Sequence, residues 1–98
     1  MRFKLEFSHE AVIQLEDLTK DKGLANRLKA VRKAFGYLES NPRHPGLNTH
    51  KFSSILGANG EEVFEAYAEN KTPAAYRIFW HYGPGKNKIT VIAIIPHP

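Results

Sequence analysis

Arg77 and His81 stand inside Tyr76–Tyr82, Tyr-Arg-Ile-Phe-Trp-His-Tyr, an arginine and an imidazole in a run that is otherwise aromatic and aliphatic. Arg43, His44, His50 and Lys51 lie together in the middle of the chain, and His97 lies near its end. Imidazoles exchange protons near neutral pH, and guanidinium and ammonium groups hold phosphate oxygens as charge builds on them. Together these types suit metal-free cleavage of RNA, which needs a base for the 2′-hydroxyl, an acid for the departing 5′-oxygen and cations on the phosphate. No spacing within the set is diagnostic. Each histidine also fits a plainer role: His9 on the first turn of a helix, His44 in a loop, His81 as a partly buried support of its strand.

Other chemistries find less to work with. Cysteine is absent, which removes disulfides, thiol nucleophiles and cysteine-ligated zinc and agrees with a reducing, cytoplasmic location. There is no His-x-x-x-His pair, no carboxylate and histidine cluster at ligand spacing and no glycine-rich phosphate loop, so neither metal nor cofactor is expected. Glu61, Glu62 and Glu65 read as the start and edge of a strand rather than as a catalytic pair. The N-terminal residues interleave charged and apolar side chains, unlike a signal peptide, and no stretch is apolar enough to span a membrane.

The formal net charge of +4 is a modest excess, but it is unevenly placed. Residues 20–51 carry eight basic side chains against Asp21 and Glu39, whereas Glu61, Glu62, Glu65 and Glu69 form an acidic stretch. The two regions should face different surroundings. Arg27, Lys29, Arg32 and Lys33 read as the solvated basic face of a helix.

The elements that must position these groups follow from periodicity. Residues 2–7 alternate Phe3, Leu5 and Phe7 with polar neighbours, the pattern of a strand with one buried face. Ser8 is an N-cap for a helix whose apolar stripe is Val12, Leu15 and Leu18, with Ala11. Leu24, Leu28, Val31, Phe35 and Leu38 then repeat at spacings of four and three over a second helix, about residues 24–39. Residues 41–46 hold two prolines and a glycine, and must be a rigid loop. The loop continues through His50 and Lys51 to a turn at residues 57–60. Strands follow at residues 63–68, 76–82 and 88–95, the last two joined by a turn at residues 83–87.

In Tyr76–Tyr82, period two puts Tyr76, Ile78, Trp80 and Tyr82 on one face and Arg77, Phe79 and His81 on the other. A buried arginine is costly unless it is paired or faces a wet groove, so the second face should not be pure core. The last strand is apolar on both faces, at Ile89, Val91 and Ile95 and at Ile92 and Ile94, which predicts a central place in the sheet. One α+β domain over residues 1–98 results, in the order β-α-α-β-β-β, with a helical hairpin on one face of a mostly antiparallel four-stranded sheet.

With this order, the chain resembles the RelE/ParE superfamily of toxins from bacterial type II toxin–antitoxin systems. The resemblance runs through Leu38-Glu39-Ser40-Asn41-Pro42-Arg43, Gly46-Leu47, His50-Lys51, Tyr76-Arg77-Ile78 and residues 92–97. It implies one of two activities: cleavage of mRNA on the ribosome, as in RelE-like members, or inhibition of DNA gyrase, as in ParE-like members. Either way it implies neutralisation by a cognate antitoxin that wraps the toxin. Arg77 matches the arginine that contacts the scissile phosphate in RelE-like nucleases, and His97 falls about where they keep a basic residue after the last strand. His50 and Lys51 complete the implied catalytic set. Arg43, His44 and His81 are phosphate or RNA contacts by residue type alone, His81 having no counterpart in the family, and Tyr67 is a further contact on offer. The sequence departs from RelE where that toxin has lysines on the strand before Tyr-Arg, having Val63 and Glu65 there instead. It also lacks RelE's tyrosine after the last strand, for which Tyr67 is the substitute on offer. An attenuated relative retained for antitoxin binding fits the same departures.

Overall fold

The computed structural model describes residues 2–97; Met1 and Pro98, the last of the Pro-His-Pro ending, lie outside them. Strand β1 (Lys4–Phe7) leads through Ser8 into helix α1 (His9–Lys20), and a 3₁₀ turn at Lys22–Leu24 leads into α2 (Ala25–Ser40). Four strands follow, β2 (His50–Leu56), β3 (Glu62–Tyr67), β4 (Tyr76–Tyr82) and β5 (Lys88–Pro96). They join β1 in a five-stranded sheet of order β1-β5-β4-β3-β2. β1 and β5 run parallel, and the other neighbours run antiparallel. Among the described residues no helix is long and apolar enough to cross a membrane.

The sheet therefore has one strand more than the four expected, and the order is β-α-α-β-β-β-β. His50 and Lys51, expected in a loop, open β2. That strand lies at the sheet edge with only Phe52 half-buried, and its ladder with β3 shifts register between Lys51 and Leu56. An edge strand with a single packing side chain carries no alternation to read.

The helices form the expected hairpin and cover one face. Ala11 and Leu18 of α1 and Val31, Ala34 and Leu38 of α2 pack on Ala66, Ile78, Trp80, Ile89, Val91 and Ile94 of the sheet. Each large side chain buried this way contributes roughly 1.5–3 kcal/mol. Val12, assigned to the stripe by spacing, is exposed instead, and Ala11 takes the inward position. Arg27 is not on a solvated face either. It donates to the Glu69 carboxylate at 3.0 Å and to the carbonyls of Pro73 and Ala74, tying α2 to the loop before β4.

β5 lies between β1 and β4, and β4 occupies the middle of the sheet. Strict alternation along β5 fails because Phe79 pairs with Ala93 while Trp80 pairs with Val91, leaving Ile92 as an extra residue. This bulge turns Ile94 to the helix side with Ile89 and Val91, and sends Ile95 to the outer face beside Arg77. β1 stops opposite Val91, so backbone groups of β5 beyond that point need other partners. Helix α1 supplies them. Ser8 Oγ donates to the Ile92 carbonyl at 3.0 Å while accepting from the Ala11 N–H, and the Gln14 side-chain oxygen accepts from the Ile94 N–H at 2.7 Å. The N-cap and the bulge are thus one structure.

Candidate active site

The outer face of β4 presents Arg77, Phe79 and His81, as alternation requires, and the helices leave it uncovered. Arg77 is nearly buried, at 7 % exposed, yet it is not orphaned. Its cross-strand neighbour is Tyr67, and the guanidinium carbon lies 3.6 Å from the centre of that ring, a close cation–π contact. One terminal nitrogen, Nη1, donates to the Glu69 carbonyl at 2.7 Å. Nε lies 3.5 Å from a Glu65 carboxylate oxygen, an ion pair rather than a hydrogen bond.

Tyr67 carries the contact onward. Its hydroxyl and Nε2 of His50 share a hydrogen bond of 2.9 Å, and the two rings meet edge to face. His50 reaches this face because it pairs with Glu65 across β2 and β3. At the other side of Arg77, His97 is held by its backbone N–H donating to the Ala75 carbonyl at 2.8 Å. The residue lines a small cleft with Glu65, Arg77 and Phe79. Four elements thus bring two imidazoles, a phenol, a carboxylate and a guanidinium to one patch, the group types that move protons and hold phosphate.

The other candidates lie elsewhere. Lys51, one residue after His50, points to the opposite side of the sheet, where Nζ pairs with Glu62 at 2.9 Å. Arg43 and His44 are on that side too, at the mouth of a cavity with Lys51. His81 shares the outer face with Arg77, but Phe79, packed edge to face on Phe52, stands between them. His81 is 4 % exposed, and its Nδ1–H donates to the Tyr82 carbonyl at 2.9 Å. The turn at Gly57 lies directly on its ring, within 3.0 Å of where a side chain on Gly57 would begin. Beside it, hydrogen bonds from the backbone N–H groups of Glu61 and Asn59 hold the Glu61 carboxyl below the usual carboxylate range. The charge of His81 adds to this, against a desolvation penalty.

Sequence reasoning overlooked Glu65 as a member of the patch. The signal was present, since Glu65 and Tyr67 are two apart on one strand and must share a face. The surrounding glutamates mask it, because together they read as an exposed edge.

No family model matches the chain, and no curated protein does. Solved structures are similar over nearly its whole length. A chain of an archaeal RelE–RelB complex from Pyrococcus horikoshii OT3 is 14% identical with a TM-score of 0.65, covering 98% of this chain and 96% of that one. A YoeB/ParE toxin from Agrobacterium tumefaciens is 11% identical with a TM-score of 0.71, covering 98% of this chain and 100% of that one. The chain has the RelE/ParE toxin fold. Within the RelE/ParE fold, the helical hairpin closes one sheet face and leaves the Arg77 patch on the other. The similarity lies in the backbone at such low identity, so the chemistry of the patch rests on its own side chains.

Proposed function

We propose that the protein is the toxin of a type II toxin–antitoxin pair, a metal-independent endoribonuclease of the cytoplasm that cuts mRNA on the ribosome and is silenced by a cognate antitoxin. One observation carries this reading. His50, Tyr67 and Arg77 are joined in continuous contact on the sheet face opposite the helices, with Glu65 and His97 beside them. The archaeal structure of the same fold, which pairs RelE with RelB, supports the antitoxin.

In the cleavage step the 2′-oxygen bonds to phosphorus while its proton passes to His50, which Tyr67 orients. The bond from phosphorus to the 5′-oxygen breaks, and that oxygen takes its proton from His97. The products are a 2′,3′-cyclic phosphate and a 5′-hydroxyl. Arg77 stabilises the charge that grows on the phosphate, a contribution of about 3–4 kcal/mol for a well-placed donor. Glu65 occupies the guanidinium until the phosphate displaces it.

A second reading has its own observation. An arginine this buried, hydrogen-bonded to a carbonyl and ion-paired with a carboxylate, serves the fold first. The protein then acts by binding, either to DNA gyrase in the ParE manner or to an antitoxin alone as an attenuated relative. Induced expression of the wild type beside His50→Ala, Arg77→Ala and His97→Ala separates the readings. Translation arrest with cut mRNA, lost in all three variants, supports the nuclease. A DNA-damage response with altered supercoiling supports the gyrase inhibitor, and unimpaired growth supports the attenuated relative.

A further inference from the structure

Behind the sheet from Arg77, beyond the end of α2, the loop at residues 42–49 overhangs a cavity of about 480 Å³. Its floor is aromatic. Phe64 and Trp80 stack with ring centres 5.0 Å apart, and Tyr82 meets Trp80 edge to face at 4.9 Å. Trp80 is 1 % exposed, whereas Tyr82 remains 40 % exposed and offers a ring to stack upon. The walls supply donors. Arg43 is exposed at the mouth. His44, stacked on Tyr37 at 3.9 Å, accepts from the Gly46 N–H through Nδ1, so the neutral ring carries its proton on Nε2 as a donor.

Two buried polar atoms of lining residues, Thr49 Oγ1 and Trp80 Nε1, have no hydrogen-bond partner among the described residues. Buried indole N–H groups ordinarily find one. Among the described residues no carboxylate lines the cavity, and the Glu62 carboxylate that pairs with the lining Lys51 is not itself among the lining residues. A donor-rich wall over an aromatic floor fits a ligand that combines a planar heterocycle, rich in acceptors, with an anionic group. The volume is that of a small-ligand site.

We infer that this cavity is a nucleotide-binding site, stacking a base on Tyr82 and Phe64 and holding its phosphate with Arg43 and His44. On the nuclease reading, on which this clause rests, the nucleotide belongs to the single-stranded RNA being cut. His50 and Lys51 are consecutive on the edge strand β2, one serving the outer patch and the other the cavity rim. An RNA strand folded over that edge passes from one site to the other, with its backbone on cations and its bases on aromatic rings.

Trp80 is the sole tryptophan, so its indole N–H gives a single resonance that reports on the cavity and not on the outer patch. The full chain is titrated with adenosine 5′-monophosphate and, separately, with inorganic phosphate. The nucleotide should shift the resonance saturably, and more tightly than phosphate alone. Arg43→Ala should weaken binding about tenfold, as loss of a charge-assisted hydrogen bond implies. Thr49→Val, which keeps the shape, should weaken it in the same direction, and His50→Ala should leave it unchanged. No saturable shift, equal binding of phosphate alone, indifference to Arg43→Ala, or loss in His50→Ala would each overturn the assignment. Cleavage is read apart from binding: a protein that cuts no RNA but binds the nucleotide here keeps the cavity and loses the nuclease, and the converse loses only the cavity.

Discussion

The Tyr67 hydroxyl lies 2.9 Å from Nε2 of His50, linking the edge strand β2 to β3 on the sheet face opposite the helices. Tyr67→Phe removes that bond and keeps the ring under Arg77. Stability should fall by about 0.5–1.5 kcal/mol, the net worth of one hydrogen bond. Cleavage should fall more, by about tenfold or greater, because the imidazole loses its orientation at the reacting proton. Denaturant unfolding and a single-turnover cleavage assay separate the two effects. Equal, small losses in both would make the contact merely structural.

Glu65 and Arg77 give a second test. Glu65→Gln keeps the shape and removes the charge that Arg77 faces at 3.5 Å. On the nuclease reading phosphate need no longer displace a carboxylate, so KM for RNA should fall while stability drops. Arg77→Ala strands Glu65 and the Glu69 carbonyl, and should cost about 3–5 kcal/mol, the range for breaking a buried pair. Arg77→Lys tests geometry: it keeps the charge but cannot reproduce the stacked, planar fork, and cleavage should not recover.

Gln14 is the residue whose loss should most clearly uncouple helix and sheet. Gln14→Ala leaves the buried Ile94 N–H without its acceptor, and Ser8→Ala removes both the helix cap and the donor to Ile92. Each should destabilise by about 1–2 kcal/mol. In a domain of this size thermal melting should shift by several degrees, with the double variant short of additive because both act on one bulge.

The turn over His81 should control stability and leave cleavage alone. A methyl group at Gly57 would clash with Glu61 and His81, so Gly57→Ala should destabilise by about 1–3 kcal/mol. The Glu61 carboxyl is lowered by backbone hydrogen bonds, chiefly from its own N–H. Because its folded pKa is depressed, its contribution is present above the ordinary carboxylate range and is lost as pH falls through the folded value. Glu61→Gln should therefore flatten the acid limb of the stability profile, and an unchanged limb would contradict the assignment.

Most of the fold was legible because its signals are local. Ser8, the stripe of α2 and the alternation of Tyr76–Tyr82 each report their own surroundings. β2 was hidden because an exposed edge strand needs no apolar face, and the switch at Ile92 was hidden because a bulge depends on how β5 pairs with β4 and what α1 offers its backbone, neither of which its own residues report. For the site, Arg77 announced itself as a charge in an apolar strand. Its company did not: His50 and Lys51 look equivalent in sequence, and only their pairing with β3 sends one to each side of the sheet. His97 stands out as an imidazole near the end of the sequence, but its place beside Arg77 and the role of Tyr67 follow from the resemblance, and Glu65 is masked by neighbours that make it look solvated.

The most direct measurement is cleavage of mRNA held in the ribosomal A site, with purified protein in excess and chelator present. The nuclease reading predicts cuts leaving a 2′,3′-cyclic phosphate and a 5′-hydroxyl, about 10²-fold or more slower in His50→Ala. In Arg77→Lys, which retains the charge at this position, they should also be strongly slowed. Message that stays whole with excess wild-type protein, or that is cut equally well by both variants, would contradict it.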